Sequence, residues 1–307
     1  MELVVAETHM VPAGAERRRL DIVAWEAFEA YPTRSSSKKA CRRGEIALDG
    51  LVAEGSRFVE AGQRVDRLLG KPPDIAGMYR LTVAIHYEDP WLAVVFKPPG
   101  LRVNGNQHKT LERTLPFNLA PSAEPDAITP RVCHRLDAKT SGLLVVAKSR
   151  RALVGVSKAF MERRVEKRYR AIIIGRLDGE GLENGPIDDR DAHTTWKALS
   201  HTRCLKSEWV TTVDLRPRTG RKHQLRIHMA RLGHPVLGDV PHGREGLILR
   251  GKGLFLCAIA LSFEHPVTGE RIDLAVPPPD KFETWRLREE RRWARYHPPT
   301  ELNGGSF

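Results

Sequence analysis

Apolar residues along the chain fall mostly into short, branched runs. Val83–Tyr87 and Leu92–Lys97 flank Glu88-Asp89-Pro90, the pattern of two strands joined by a turn. Leu143–Ala147 has the length and branching of a buried strand, and Ala171–Ile174 reads the same way. Trp209–Leu215 alternates apolar and polar positions, as a half-buried strand does. Helical spacing is confined to a few places. Ile22, Ala24, Trp25 and Phe28 share one side of a short helix that must end before Pro32. Ser149 is placed to cap a helix over Arg150–Arg164 that carries Leu153, Val156 and Phe160. A third helix runs from the Thr219-Gly220 turn to about Leu232, with Leu225, Met229 and Leu232 as its buried stripe. Arg226 falls on the adjacent stripe, at the edge of the core, where a guanidinium can reach a partly buried carboxylate.

The N-terminal part has a different texture. Ser35, Ser36 and Ser37 can cap a basic helix over Lys38–Arg43 that stops at Gly44. Glu45–Leu48 and Leu51–Val59 then flank Asp49-Gly50, a two-residue hairpin signal, and Arg64–Leu68 closes the unit. Gly70-Lys71-Pro72-Pro73 reads as a linker. The expected organisation is a flexible leader (1–14), a small unit (15–70), a linker (71–82), a main domain (83–290) and a basic, disordered tail (291–307). Trp285–Arg295 within the last two segments is expected to be helical.

Charge narrows the partner. The 307 residues carry a formal net charge of +12, which points to nucleic acid or another polyanionic surface. Aromatic residues make up only 7%, which argues against a platform that stacks single-stranded bases. Cys41, Cys133, Cys204 and Cys257 form no Cys-x-x-Cys pair and read as reduced thiols. The first residues lack a secretory n-region, and no apolar run has the length of a membrane span. The expectation is a cytoplasmic, monomeric protein with no membrane partner. Asp188, Asp189, Asp191 and His193 offer metal-ligand types, but their spacing fits no calcium loop, and no metal is expected.

The chemistry concentrates in Val132-Cys-His-Arg-Leu-Asp137-Ala-Lys-Thr-Ser-Gly142, which leads into the strand ending at Ala147. Asp137 lies between Arg135 and Lys139, cations that favour its ionised form. A rigidly mounted carboxylate there can be a nucleophile, a base or a hydrogen-bond acceptor, or simply satisfy amides in a turn. His-Arg-Leu-Asp followed by Thr-Ser-Gly resembles the active-site motif of the RluA family of RNA pseudouridine synthases. Ala138 and Lys139 stand where that family usually has a basic and then an acidic residue.

Further segments carry the same resemblance. Lys97-Pro-Pro-Gly-Leu101 is similar to the family's Lys-Pro-x-Gly-Leu; Lys97 either approaches RNA or Asp137, or braces a loop. Lys167-Arg-Tyr169-Arg-Ala171 resembles the segment bearing an active-site Tyr. Thr219-Gly-Arg-Lys-His-Gln-Leu-Arg226 resembles the segment whose last Arg pairs with the catalytic Asp. Gly233–Asp239 continues the pattern, but His242-Gly243 replaces a frequent Tyr-Gly. Leu256–Phe263, His265-Pro266 and Val276–Pro279 resemble the closing strands. The small unit resembles the RNA-binding module of ribosomal protein S-four.

The resemblance implies an α+β fold with a mixed, largely antiparallel central sheet and an S-four-like unit before it. It implies uridine isomerisation in structured RNA, large-subunit ribosomal RNA in the first place and transfer RNA in the second. Asp137, Tyr169 and Arg226 would be catalytic, and Arg135 would fill the space left by the flipped uridine. Arg34, Lys38, Lys39, Arg42 and Arg43 of the small unit, with Arg221, Lys222 and His223, would bind RNA. Because the reaction involves no redox change and no phosphate cleavage, no cofactor is expected. Two other classes compete. A non-catalytic RNA-binding assembly factor would be favoured by loss of one of the three catalytic residues. A hydrolase using Asp137 with His134 or His223 would need a paired nucleophile and base, for which no motif is present.

Overall fold

A computed structural model describes residues 5–68 and 79–298. Most of the expected linker, and the end of the tail from residue 299, lie outside the described residues.

The small unit runs β1 (Val5–Met10), β2 (Arg18–Arg19), α1 (Leu20–Ala27), α2 (Arg34–Arg42), β3 (Ile46–Leu48), β4 (Leu51–Val52), β5 (Phe58–Val59) and β6 (Arg64–Leu68). Its four-stranded sheet has the order β1-β6-β3-β4. Val5–Met10 is therefore a strand, not part of a flexible leader. It lies antiparallel to β6, and two polar ties reinforce the pairing: Thr8 Oγ1 donates to Asp66 (2.7 Å), and Arg67 grips Glu7 (2.6 Å). Asp49 and Gly50 both have positive φ (49° and 83°), the geometry that a tight two-residue hairpin demands. The returning strand is shorter than expected. β4 ends at Val52, and β5 leaves to pair with β2.

Two helix details also differ from expectation. Leu20, Ala24 and Phe28 face the core at spacings of four, which leaves Trp25 40% exposed. The cap of α2 is Thr33 rather than the serines. Its Oγ1 accepts from the Ser36 amide (3.2 Å), and Ser36 Oγ accepts from the Thr33 amide (3.1 Å). This reciprocal box takes up two donors, so the helix starts at Arg34, one turn earlier.

The large unit runs β7 (Ile85–Glu88), β8 (Leu92–Lys97), α3 (Leu115–Asn118), β9 (Ala127–Val132), β10 (Ser141–Ser149), α4 (Arg150–Met161), β11 (Glu166–Ile174), β12 (Glu180–Glu183), β13 (Thr194–Cys204), β14 (Glu208–Pro217), α5 (Gln224–Arg231), β15 (Leu256–Glu264), β16 (Arg271–Ala275) and α6 (Lys281–Tyr296). Ten strands form one mixed, largely antiparallel sheet in the order β12-β13-β14-β11-β15-β10-β8-β7, with β16 on β15 and β9 on β10. Its one parallel junction joins β10 to β15.

Alternation along the central strands sends side chains to two apolar layers. Leu143, Val145 and Ala147 of β10 meet α4, while Leu144 and Val146 meet the segment around Leu101–Leu119. On β11, Ile172 and Ile174 face Phe282 and Trp285 of α6, and Ala171 and Ile173 face Leu225 and Met229 of α5. The uninterrupted apolar runs of the sequence are thus strands covered on both faces. Helix α6 continues through residues assigned to a disordered tail and past the expected domain boundary at 290. Arg203 of β13 lies over the rings of Trp209 (3.8 Å) and Trp293 (4.8 Å) and ties the end of the helix to the sheet. Among the described residues, no helix is long and apolar enough to cross a membrane.

Candidate active site

Asp137 sits in a tight turn between β9 and β10. The Thr140 amide donates to the Asp137 carbonyl (3.0 Å). The next carbonyl, that of Ala138, accepts from the Gly100 amide (2.8 Å) and from Lys97 Nζ (3.0 Å). Lys97 is fully buried and also donates to the carbonyls of Pro98 (2.9 Å) and Leu101 (2.8 Å). Of the roles left open for Lys97, the geometry is that of the brace. It ties the Lys-Pro-Pro-Gly-Leu loop to the backbone beside Asp137. Burial lowers its pKa to about 8, an effect opposed by the charge of Asp137.

Behind the turn, β10 begins with Ser141 and Gly142 packed against β15. Gly142 has φ +124°, and a Cβ there would lie 2.3 Å from the Ala258 carbonyl oxygen. Only glycine allows the two backbones this approach, which places the Asp137 turn against the parallel junction.

Helix α5 supplies the other wall. Gln224 uses its whole amide: Oε1 accepts from Thr219 Oγ1 (2.7 Å) and the Arg221 amide (3.0 Å), while Nε2 donates to the His193 carbonyl (2.9 Å) and Thr194 Oγ1 (3.0 Å). This network accounts for Thr-Gly-Arg-x-His-Gln as one folded loop. It holds His223 in the left-handed region (φ 56°), a conformation that costs on the order of 1 kcal/mol. Arg226, one turn into the helix, reaches Asp137 through Nη1 (3.3 Å). Its closer partner is Asp239, with Nε at 2.7 Å and Nη2 at 2.6 Å in a bidentate pair. Asp239 therefore aims the guanidinium at Asp137. His228, on the far side of α5, is buried between Thr194 Oγ1 (3.0 Å) and the Gly185 carbonyl (3.1 Å), a structural position.

Tyr169 enters from β11. The β11–β15 register shifts between Arg168 and Tyr169, a bulge of the kind that re-aims a side chain. Burial, and then the charge of Asp137, push the phenol well above its usual range, so it stays a neutral hydroxyl. His134 is stacked on Phe160 (4.3 Å) and accepts from the Val145 amide through Nε2 (3.0 Å). Burial, and then the charge of Lys167, lower its pKa to about 3, so its ring is neutral and structural.

These elements enclose a cleft of about 550 Å³. Asp137, Tyr169 and Arg226 all line it, and Arg135, Arg221, Lys222 and His223 line it with them. Arg135 is exposed and makes no ion pair with Asp137. Arg221 is tied to the Asp191 carbonyl (3.0 Å), whereas Lys222 is exposed. Arg34, Lys38, Lys39, Arg42 and Arg43 lie elsewhere, on and just after α2. Arg43 is held by Glu45, while Lys38, Lys39 and Arg42 present exposed side chains. The motifs assign no role to Asp239 or to His242, whose Nε2 lies 3.0 Å from Nδ1 of His223. The Gly-Asp ending of Gly233–Asp239 was the available signal for the first. The arrangement joins an aimed carboxylate, a neutral phenol and a basic rim, which suits a planar, polyanionic substrate.

Residues 92–231 match the family model described as RNA pseudouridylate synthase. The chain is 33% identical over 308 residues to ribosomal large subunit pseudouridine synthase D of Vibrio cholerae, covering 91% of this chain and 94% of that protein. It is 32% identical over 307 residues to the protein of the same name in Xanthomonas campestris pv. campestris, covering 89% of each. Among solved structures, human RNA pseudouridylate synthase domain containing 1 is similar at a TM-score of 0.54 and 29% identity, over 64% of this chain and 84% of that one. Human RNA pseudouridylate synthase domain containing 4 matches at 0.54 and 26%, over 68% and 93%.

Proposed function

The chain belongs to the RluA family of RNA pseudouridine synthases, and from that premise we propose that its cleft isomerises uridine to pseudouridine in large-subunit ribosomal RNA. The observation that carries the assignment of roles is the Asp137 carboxylate, 3.3 Å from Arg226 in the cleft that Tyr169 lines. The choice of RNA is supported by the names of the relatives from Vibrio cholerae and Xanthomonas campestris.

In this reading the target uridine leaves its stack and enters the cleft, and Arg135 takes the space it vacates. The bond from ribose C1′ to N1 opens with its electron pair going to the base. Asp137, aimed by Arg226, traps the electron-poor sugar. Tyr169 packs against the detached uracil and excludes water while the base turns. C5 then bonds to C1′, Asp137 is released as a carboxylate, and C5 loses its proton. The small unit adds affinity through Lys38, Lys39 and Arg42 on phosphates, with little sequence information.

Tritium release from RNA labelled at uridine C5 tests this. Wild type is expected to release tritium from large-subunit ribosomal RNA, and Asp137→Ala none. Equal release from both proteins would remove Asp137 from the chemistry. No release by wild type, with RNA binding intact, would favour a non-catalytic binding protein.

A further inference from the structure

His242 stands in the loop after α5, and its Nε2 lies 3.0 Å from Nδ1 of His223. The two rings meet edge to face, with centroids 5.2 Å apart. The other ring nitrogen of His223, Nε2, lies 4.0 Å from Asp137 Oδ2, and both residues line the cleft. His223 thus has one ring nitrogen near the Asp137 carboxylate and the other in contact with His242. We propose that the His223–His242 pair is the proton outlet of the cleft, carrying the uridine C5 proton from Asp137 to solvent. The inference rests on the pseudouridine synthase reading and adds to it a route and two residues.

The proton count closes. Once C5 is bonded to C1′, its C–H bond breaks and the electron pair restores the C5–C6 double bond of the ring. The freed Asp137 carboxylate takes the proton and passes it to His223 Nε2. His223 releases the Nδ1 proton to His242 Nε2, and His242 releases its own Nδ1 proton to water. Each ring gains one proton and loses one. N1 takes up a proton from solvent, so uridine and pseudouridine remain isomers.

Several features favour this route. Tyr169 also lines the cleft, but its phenol is held neutral and is a poor base for C5. A hydrogen bond between two imidazoles requires one nitrogen to donate and the other to accept, so the pair holds at most one extra proton comfortably. The surroundings disfavour a positive charge on His223. His223 is half-buried, and its partial desolvation opposes protonation, as do Arg226 from α5, its neighbour Lys222, and His242 from the following loop; Asp137 favours it. The His242 amide is anchored to Asp239 Oδ1 (3.3 Å), the carboxylate that also aims Arg226. One residue thus positions both the guanidinium and the outer imidazole. The left-handed backbone of His223 turns its ring between Asp137 and His242.

The experiment is single-turnover tritium release from in vitro transcribed large-subunit ribosomal RNA labelled at uridine C5, between pH 5 and 9. Wild type, His242→Phe and His242→Gly are compared. His242→Phe is expected to lose about tenfold or more in rate near neutral pH, the scale of a positioned proton-transfer group. The deficit should shrink toward acid pH, where the protonated wild-type pair is blocked as well. Added imidazole should restore His242→Gly in proportion to its concentration. A structural defect would lower the rate equally at every pH and ignore imidazole, and that pattern would overturn the proposal. So would a His242→Phe rate within twofold of wild type throughout. If wild type itself releases no tritium, the underlying activity is wrong and the outlet goes with it; release by wild type separates the two failures.

Discussion

Asp239→Ala should be among the most destabilising single changes near the cleft. Arg226 and Asp239 are 4% and 0% exposed at the side chain and are joined by two hydrogen bonds of 2.6 and 2.7 Å. Solvent screening, which limits surface pairs to about 1 kcal/mol or less, is nearly absent there. Removing the carboxylate leaves a buried guanidinium with one contact at 3.3 Å, to Asp137. Breaking a buried pair from one side costs about 3–5 kcal/mol. For a domain of this size that corresponds to a fall in Tm of roughly 6–20 °C. Asp239→Asn keeps one acceptor and should cost about half as much. Urea unfolding of wild type, Asp239→Ala, Arg226→Met and the double variant measures the pair directly. The double variant should be no less stable than Asp239→Ala, since no charge is then buried alone. Tritium release by Asp239→Ala, at a temperature where it is folded, should fall with the misaimed Arg226. A cost below about 1 kcal/mol, or single-variant effects that add to within about 0.5 kcal/mol, would refute the account.

Three other outcomes are expected. Gly142→Ala forces a Cβ to 2.3 Å from the Ala258 carbonyl oxygen in a left-handed conformation, and should cost about 3 kcal/mol or more; a thermal melt within 2 °C of wild type would contradict this. His134 titrates near 3 when folded and near its ordinary 6.5 when unfolded. Between these values the unfolded chain binds the extra proton, so stability is lost as pH falls, by about 1.4 kcal/mol per unit. Unfolding at pH 7.5 and 5 should show wild type losing about 2 kcal/mol more than His134→Gln, which keeps an acceptor for the Val145 amide; equal losses would count against a neutral, desolvated ring. Replacing Lys38, Lys39 and Arg42 together by Ala should weaken RNA binding and flatten the salt dependence of log K by about 2–3, with stability nearly unchanged; an unaltered slope would take α2 out of the interface.

The central strands were readable because burial on both faces leaves apolar runs with no polar alternation to confuse them, as in Leu143–Ala147. β1 was not readable. Half of its six residues are polar and none is buried, and its stability comes from pairing with β6, a segment more than fifty residues away. The start of α2 was missed because three serines compete as caps on paper, while the reciprocal bond to Ser36 selects Thr33. In the site, Asp137, Tyr169 and Arg226 were legible as members of motifs. What joins them was not. Lys97 is defined by three carbonyls whose convergence exists only once two loops are folded together. Asp239 follows Arg226 by 13 residues, and no helical or strand spacing links the two positions.

The ion pairs of the site also set an order for biosynthesis. Asp137 and Arg226 are separated by 89 residues, and Arg226 gains its closer partner only 13 residues later. At ordinary translation speeds, roughly 5–20 s pass between the emergence of the aspartate and that of its guanidinium. Meanwhile β10 can already pair with β8 and β9, but its parallel neighbour β15 has not been made. A nascent chain can therefore hold a folded hairpin carrying Asp137 for seconds without the cleft around it. Non-local contacts of this kind slow folding. They also make the enzyme inert until nearly all of its large unit has been synthesised, so premature termination before β15 should yield chains that carry the motif but not the activity.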